Sequence, residues 1–240
     1  GVGAGAGQGA GGCVRGPIGY KVGDAWRELY RRAGSNAPCS PDAESGGRRT
    51  LRNTALGLIA GTGAEGIAIA ERHYHNADNM TDRMAGLNAL TRQGLPQSSD
   101  ALDDFFTRYH TNPLVLDKWF SLQATMPGSD TLDRVETLTR HSAFSVSNPN
   151  RVRALVGAFA AANPTQFNRA DGAGYRFVAD FILEIDAINP QVAARLLSAF
   201  RSWRVLEPVR RAAAEAELKR IAAHTDLSRD TADIVQRSLE

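Results

Sequence analysis

Residues 148–200 read NPNRVRALVGAFAAANPTQFNRADGAGYRFVADFILEIDAINPQVAARLLSAF and predict three successive helices. Asn148-Pro149 and Asn189-Pro190 mark two helix starts, because an asparagine side chain caps the first free amides and proline needs no amide hydrogen there. Asn163-Pro164 predicts the end of the first helix, and DGAG at 171–174 predicts a turn before the second.

Apolar side chains recur in each of these helices with the spacing of a single buried face. The three stripes are Val152, Leu155, Val156 and Phe159; Phe177, Val178, Phe181, Ile182 and Ile185; and Val192, Leu196, Phe200 and Trp203. The turns between the helices are short and polar, so neighbouring helices must lie side by side and share their apolar faces.

The same pattern continues along most of the chain from Arg48 onward. We predict further helices at 51–60, 64–77 and 80–91, one capped by Ser98 or Ser99, one opened by Asn112-Pro113, one capped by Asp130, one at 207–224, and one from Ser228 through Leu239. No segment shows the alternation of a strand. The predicted fold is therefore all-α, a superhelix or solenoid of about a dozen antiparallel helices.

The first residues differ from the rest in composition. GVGAGAGQGAGG at 1–12 is of low complexity and cannot bury a core, residues 24–32 predict one short helix, and residues 34–47 are rich in glycine, serine and proline. We therefore expect residues 1–37 to form a poorly ordered N-terminal segment and residues 38–240 to form the helical domain.

Composition argues against several classes of function. The 240 residues include 28 basic and 26 acidic side chains, a formal charge of +2 that does not indicate a nucleic-acid partner. No apolar run approaches the ~20 residues that cross a bilayer, and no signal peptide is recognised. Cys13 and Cys39 are too few for a disulfide framework, so we expect a reducing, cytoplasmic location.

The histidines and glycines do not form a recognisable site. None of the five histidines lies in the zinc-binding pattern H-E-x-x-H, and on a helix His73 and His75 would diverge by about 200°. We expect both to be solvated surface histidines.

GTGAEG at 61–66 matches the dinucleotide pattern G-x-G-x-x-G, but the apolar residues before it have helical spacing. We interpret it as a turn between helices, with dinucleotide binding as the alternative.

Arg153 and Arg195 allow two interpretations. Each lies beside an apolar stripe rather than on it. Such an arginine usually extends to solvent or pairs with an acid of a neighbouring helix. The alternative is a cationic inner wall that binds a carboxylate through the forked guanidinium. The spacing alone favours the first interpretation.

A series of sequence blocks follows an order known from one enzyme family. The blocks are NMTDR at 79–83, PLVLDKWF at 113–120, NPNRVR at 148–153, DGAGY at 171–175 and NPQVAAR at 189–195, with PDA at 41–43 and GRRTLRN at 47–53. Together they resemble the C-terminal domain of bacterial-type aminopeptidase N, in the gluzincin family of zinc metallo-aminopeptidases. The resemblance covers residues 38–240 and implies the helical superhelix with which members of this family end, whereas residues 1–37 do not resemble the family.

The resemblance also implies a role for the two arginines. In the family, the superhelix closes over the catalytic domain and lines the channel through which peptides reach the zinc ion. By motif, Arg153 in NPNRVR and Arg195 in QVAAR correspond to arginines of that wall that approach the C-terminal side of the substrate. We therefore expect both side chains to bind substrate and to be unpaired, or paired only with water, on the concave face.

The motifs that carry the chemistry of this family are missing from the sequence. It contains neither H-E-x-x-H nor the G-x-M-E-N loop of the catalytic domain. We expect no catalytic residue, metal ligand or cofactor in this chain and no peptidase activity from it alone, since zinc belongs to the intact enzyme. The expected partners are the catalytic domain and peptide substrates, with no nucleic acid and no membrane.

An alternative function is that of a stand-alone helical-repeat scaffold that binds a protein or peptide in its concave groove. A large exposed apolar patch would favour a domain that docks on another part of an enzyme. A polar, self-contained surface would favour the scaffold.

Overall fold

The computed structural model describes residues 17–34, 40–94 and 96–240. Contacts divide the chain into two compact units, the first ending at Arg108 and the second beginning at Tyr109. Within the described ranges every regular element is a helix and none is a strand, which confirms the predicted all-α class. No helix in these ranges is both long enough and apolar enough to cross a membrane.

In the first unit, the first four helices pack consecutively on one another. They are α1 (Pro17–Arg32), α2 (Ala43–Ala60), α3 (Ala64–Asn76), α4 (Met80–Thr91) and α5 (Pro96–Tyr109), whose last residue belongs to the second unit. α2 packs against α1, α3 and α4, and α3 also packs against α4. The largest side chains that this unit buries completely include Leu56, Ile59, Tyr74 and Leu87.

The second unit contains the three helices on which the fold prediction was based. Its elements are α6 (Pro113–Ala124), α7 (Thr131–Thr139), α8 (Pro149–Val152), a π-helical segment (Arg153–Gly157), α9 (Ala158–Ala162), α10 (Pro164–Phe167), α11 (Ala173–Asp186), α12 (Pro190–Leu197), two 3-10 helices (Ser198–Phe200 and Trp203–Val205), α13 (Pro208–Ala222) and α14 (Arg229–Leu239). The π-helical segment packs on α6, and α12 packs on α11 and α14. Phe120, Phe159, Tyr175 and Phe200 are fully buried in this unit.

The predicted Asn-Pro helix starts are confirmed. Asn112, Asn148 and Asn189 each precede a helix that begins at proline. Each asparagine side chain accepts a hydrogen bond from a backbone amide of the first turn. Asn163 does more than end a helix, since it also caps the short helix α10, which was not predicted. Its side-chain amide donates to the carbonyls of Ala124 and Met126 at 3.1 and 3.0 Å.

Some predicted boundaries are wrong. The short helix predicted at 24–32 is longer, because α1 begins at Pro17. α5 begins at Pro96, so Ser98 and Ser99 lie inside its first turn and are not its caps; proline is well suited to a first helical position. Asp130 precedes α7 as predicted, but its side chain makes no capping hydrogen bond.

The division of the chain between residues 37 and 38 stays a prediction, and Cys13 and Cys39 lie outside the described residues.

Gly61 and Gly63 of GTGAEG lie in a turn between helices, as predicted, whereas Gly66 lies in the first turn of α3. α2 ends at Ala60 and α3 begins at Ala64, and Gly63 has φ of 116°, a backbone conformation that favours glycine. A Cβ atom on Gly66 would lie 2.0 Å from the carbonyl oxygen of Ile59. The pattern therefore reflects the close approach of α3 to the end of α2.

We expect Gly66→Ala to lower the free energy of unfolding of the first unit by about 1–3 kcal/mol, because the backbone must move to admit the methyl group. Gly57→Ala is the matched control, since a Cβ atom there meets nothing within 4 Å. Near the end of α2 this change should be neutral or should stabilise by up to about 1 kcal/mol. Urea unfolding followed by circular dichroism measures both variants, and equal shifts would contradict the steric explanation.

Candidate functional site

Arg153 lies where the helical pattern changes. α8 begins at Pro149. The Asn148 side-chain oxygen accepts hydrogen bonds from the backbone amides of Asn150 and Arg151, at 3.0 and 3.3 Å. The π-helical segment then starts at Arg153 itself. Such segments are rare and recur at functional sites. The Arg153 side chain is exposed, in agreement with its place beside the apolar stripe.

A second arginine of the NPNRVR block, Arg151, is buried and holds this turn in place. Its Nε atom lies 2.8 Å from Oδ1 of Asp117 on α6, and its Nη1 donates to the carbonyl of Ala143 at 3.1 Å. Its guanidinium also lies over the ring of Phe120, 5.0 Å from the centroid. Arg151 therefore anchors the backbone that presents Arg153, a role that the sequence analysis missed.

Arg195 lies in the last turn of α12, and its side chain is exposed. Its neighbours Ala194 and Leu196 are buried. A Cβ atom on Gly157, at the end of the π-helical segment, would meet Cγ of Arg153 at 3.5 Å and Cδ2 of Leu196 at 3.9 Å. These are ordinary van der Waals distances, so Gly157 lies close both to Arg153 and to Leu196 of α12. The two predicted arginines thus lie on neighbouring helical segments of one unit.

Neither Arg153 nor Arg195 makes a side-chain hydrogen bond or an ion pair with any described residue. Some other arginines of the same unit form ion pairs within it, such as Arg169 with Asp171 at 2.6 Å and Arg220 with Asp180 at 2.6 Å. A guanidinium offers five N–H donors in a planar fork that matches a carboxylate. Both arginines can therefore donate to a ligand, although their part in binding stays a prediction.

The described residues do not fit a catalytic zinc ion. Such an ion is usually held by three protein ligands from histidine, cysteine, aspartate or glutamate. Among the described residues, no group of three such side chains is placed to hold a metal ion. We therefore assign no step of a metal-assisted reaction to this part of the chain.

His73 and His75 point in different directions, but the expectation that both are solvated is wrong for His73. His75 is exposed, whereas His73 is buried and its Nδ1 lies 2.9 Å from the hydroxyl of Tyr30 on α1. Burial, assisted by the nearby Arg52 guanidinium, lowers the pKa of His73 to about 4. This imidazole is therefore neutral at pH 7 and belongs to the interior of the first unit.

Comparison with known proteins places these features in a family. A family model described as a domain of unknown function (DUF3458_C) with ARM repeats matches residues 10–240. Aminopeptidase N of Caulobacter vibrioides is 42% identical over 227 residues, which are 94% of this chain and 26% of that protein. Aminopeptidase N of Escherichia coli is 36% identical over 193 residues, 80% of this chain and 22% of that protein.

A solved structure shows the same fold. The crystal structure of Legionella pneumophila aminopeptidase A in complex with aspartic acid superposes with a TM-score of 0.84 at 28% identity. The superposition covers 92% of this chain and 27% of that one. The chain thus spans about a quarter of the length of the relatives that it matches. ARM repeats are stacked helices, which agrees with the predicted solenoid.

Proposed function

Because the chain belongs to the DUF3458_C family of ARM-repeat domains and resembles aminopeptidase N over most of its length, we propose that it is the C-terminal superhelical domain of a zinc metallo-aminopeptidase. The enzyme would remove N-terminal residues from peptides, and this domain would line the channel to the catalytic site and help to bind the peptide. The partners are then the catalytic domain of the same enzyme, which holds the zinc ion, and the peptide substrates. The low cysteine count supports a cytoplasmic location.

The observation that carries this proposal is the pair of uncompensated arginines. Arg153 and Arg195 are exposed, without ion pairs to described residues, on adjacent helical segments. Their guanidinium groups would bind and orient the terminal carboxylate of a peptide through charge-assisted hydrogen bonds. The chemistry would take place elsewhere, at the zinc ion that polarises the scissile carbonyl and activates water when it is bound.

Exposed apolar side chains bear on the choice between the domain and the stand-alone scaffold. Leu51 and Leu58 lie seven residues apart on one side of α2 and are each 46% exposed. In the second unit, Leu114 is 72% exposed and Val205 is 84% exposed. Apolar side chains exposed singly are normal on a monomeric protein, so only a contiguous patch around these residues would favour the docking domain.

Kinetic measurements on the aminopeptidase that contains this domain would test whether the two arginines bind the substrate carboxylate. Arg153→Gln and Arg195→Gln should each lower kcat/KM about tenfold for a tripeptide with a free terminal carboxylate, because a charge-assisted hydrogen bond is lost. The same tripeptide with a C-terminal amide should be cleaved almost as well by the variants as by the unchanged enzyme. The loss should fall mainly on KM, since these groups contact substrate away from the reacting bond.

Arg237→Gln is the control, because this exposed arginine pairs only with Asp233 on its own helix and is not part of the proposed site. It should cleave both tripeptides at the unchanged rate. Equal losses for the acid and the amide in Arg153→Gln and Arg195→Gln would contradict carboxylate binding.

A further inference from the structure

The second unit contains a cavity that none of the family features explains. Its volume is about 340 Å³, and it is open on one side to solvent. The lining residues are Glu136, Thr139, Arg140, Phe144, Phe177, Asp180, Phe181 and Glu184. Clefts of this size and larger accommodate small molecules or single side chains. The arginines Arg153 and Arg195 are not among the lining residues.

Two helix faces form the cavity. The residues of α11 that line it are spaced i, i+3, i+4 and i+7 from Phe177, which places them on a single face. Glu136 and Thr139 of α7 likewise lie three residues apart, and Arg140 follows at the end of that helix. Phe144, in the turn after α7, contributes a further wall.

The three phenylalanines give the cavity an aromatic floor that is continuous with the core. Phe181 is buried, whereas Phe144 and Phe177 are only half-buried. The rings of Phe144 and Phe181 meet edge to face with centroids 6.2 Å apart, and Phe177 lies 6.4 Å from Phe181. Phe177 in turn contacts the buried ring of Phe159 at 5.7 Å. These rings are therefore held in position by packing and present apolar surface to the cavity.

The rim is acidic, and part of its charge is uncompensated. Asp180 is paired with Arg220 of α13 at 2.6 Å. The carboxylates of Glu136 and Glu184 make neither an ion pair nor a hydrogen bond with any described residue. Arg140 is the one cationic side chain among the described lining residues, and its Nε donates at 3.4 Å to the backbone carbonyl of Glu136 rather than to a carboxylate.

We propose that this cavity binds an organic cation carried on an apolar stem, such as the guanidinium or ammonium of an arginine or lysine side chain. The phenylalanine rings would contact the stem and, through their negative faces, the cation. Glu136 and Glu184 would accept charge-assisted hydrogen bonds from it. The site is independent of the carboxylate site proposed for Arg153 and Arg195, which attracts the opposite charge.

Arg140 distinguishes this proposal from its opposite. If the cavity bound an anion, Arg140 would be its principal partner and its removal would weaken binding. If the cavity binds a cation, Arg140 repels the ligand, so Arg140→Gln should strengthen binding.

The experiment is an NMR titration of the full 240-residue chain labelled with ¹³C in its phenylalanine rings. Nα-acetyl-arginine methylamide should shift the ring signals of Phe144, Phe177 and Phe181 in a saturable manner, with a dissociation constant in the millimolar range. The citrulline analogue has the same shape without the charge and should bind about tenfold more weakly. Equal binding of the two compounds, or no shift of these rings, would overturn the proposal.

Variants of the lining carboxylates test which of them bind the cation. Glu136→Gln and Glu184→Gln, which preserve side-chain shape, should each weaken arginine methylamide binding about tenfold. Asp226→Asn is the control, since Asp226 is exposed on the same unit and does not line the cavity. Weaker binding in Arg140→Gln, or unchanged binding in both glutamine variants, would overturn the proposal.

Two further ligands distinguish a free small-molecule cation from a cationic side chain within a peptide. Agmatine represents a free small molecule, and Ac-Ala-Arg-Ala-NH2 represents a side chain within a peptide. Tighter binding of the peptide would assign the site to a peptide side chain, and equal binding would show that the free cation suffices. Each result supports recognition of the guanidinium, whereas failure of both to bind contradicts it.

Discussion

We expect Arg151→Met to lower the free energy of unfolding of the second unit by about 3–5 kcal/mol, because removing one partner of a buried ion pair leaves the other charge uncompensated. Arg151 is 5% exposed; without it Asp117 would lose the cation of its ion pair, and the carbonyl of Ala143 would lose its hydrogen-bond donor. The contact with the ring of Phe120 would also be lost. Urea unfolding followed by circular dichroism gives the magnitude.

The matched control is Arg153→Met in the same helical turn. Arg153 is exposed and has no partner among the described residues, so its replacement should change stability by no more than about 0.5 kcal/mol. The double variant Arg151→Met/Asp117→Leu should recover much of the loss, since no buried charge is then left alone. Similar destabilisation by the two methionine variants would contradict the assignment of Arg151 as the anchor.

We expect Asp186→Ala to cost about 3–5 kcal/mol in the second unit, because it removes a buried carboxylate that accepts several short hydrogen bonds. Asp186 closes α11 and accepts from the amide and the hydroxyl of Ser228, both at 2.6 Å, and from the hydroxyl of Thr231 at 2.5 Å. Ser228 is the cap of α14, so Asp186 joins the end of one helix to the start of another.

Amide hydrogen exchange tests this connection directly. In Asp186→Ala the amides of α14 should exchange much faster, while those of α6 keep most of their protection. Asp233→Ala is the control, because Asp233 is half-exposed on α14 and pairs only with Arg237. Faster exchange of α14 to the same extent in both variants would show that Asp186 has no special role.

The parts of the fold that follow from short-range chemistry were predictable. A cap and a proline act within three residues of each other, so the starts of α6, α8 and α12 could be placed from sequence. The start of α10 carried the same signal in Asn163-Pro164, which the sequence analysis interpreted only as a helix end. The π-helical segment could not be placed, because it follows from how residues 153–157 pack on other helices. No residue pattern distinguishes a π-turn from an ordinary helical turn before that packing is known.

The same limit explains what was missed around the functional surfaces. Burial of Arg151 depends on Asp117, which lies 34 residues earlier in the chain, and burial of His73 depends on Tyr30, 43 residues earlier. A signal for His73 was present, since it lies three residues after Ala70 and next to Tyr74, both completely buried. The acids at the cavity were also visible in α11, but their spacing does not reveal the opposing face of α7.

The most direct test of the central claim is to measure zinc content and the hydrolysis of alanyl-p-nitroanilide by the purified 240-residue chain. We expect no stoichiometric zinc and no turnover, because the proposed domain guides and binds peptides while the catalytic centre lies elsewhere in the enzyme. Bound zinc together with turnover would contradict this claim and would place a metal site and the chemistry within these helices.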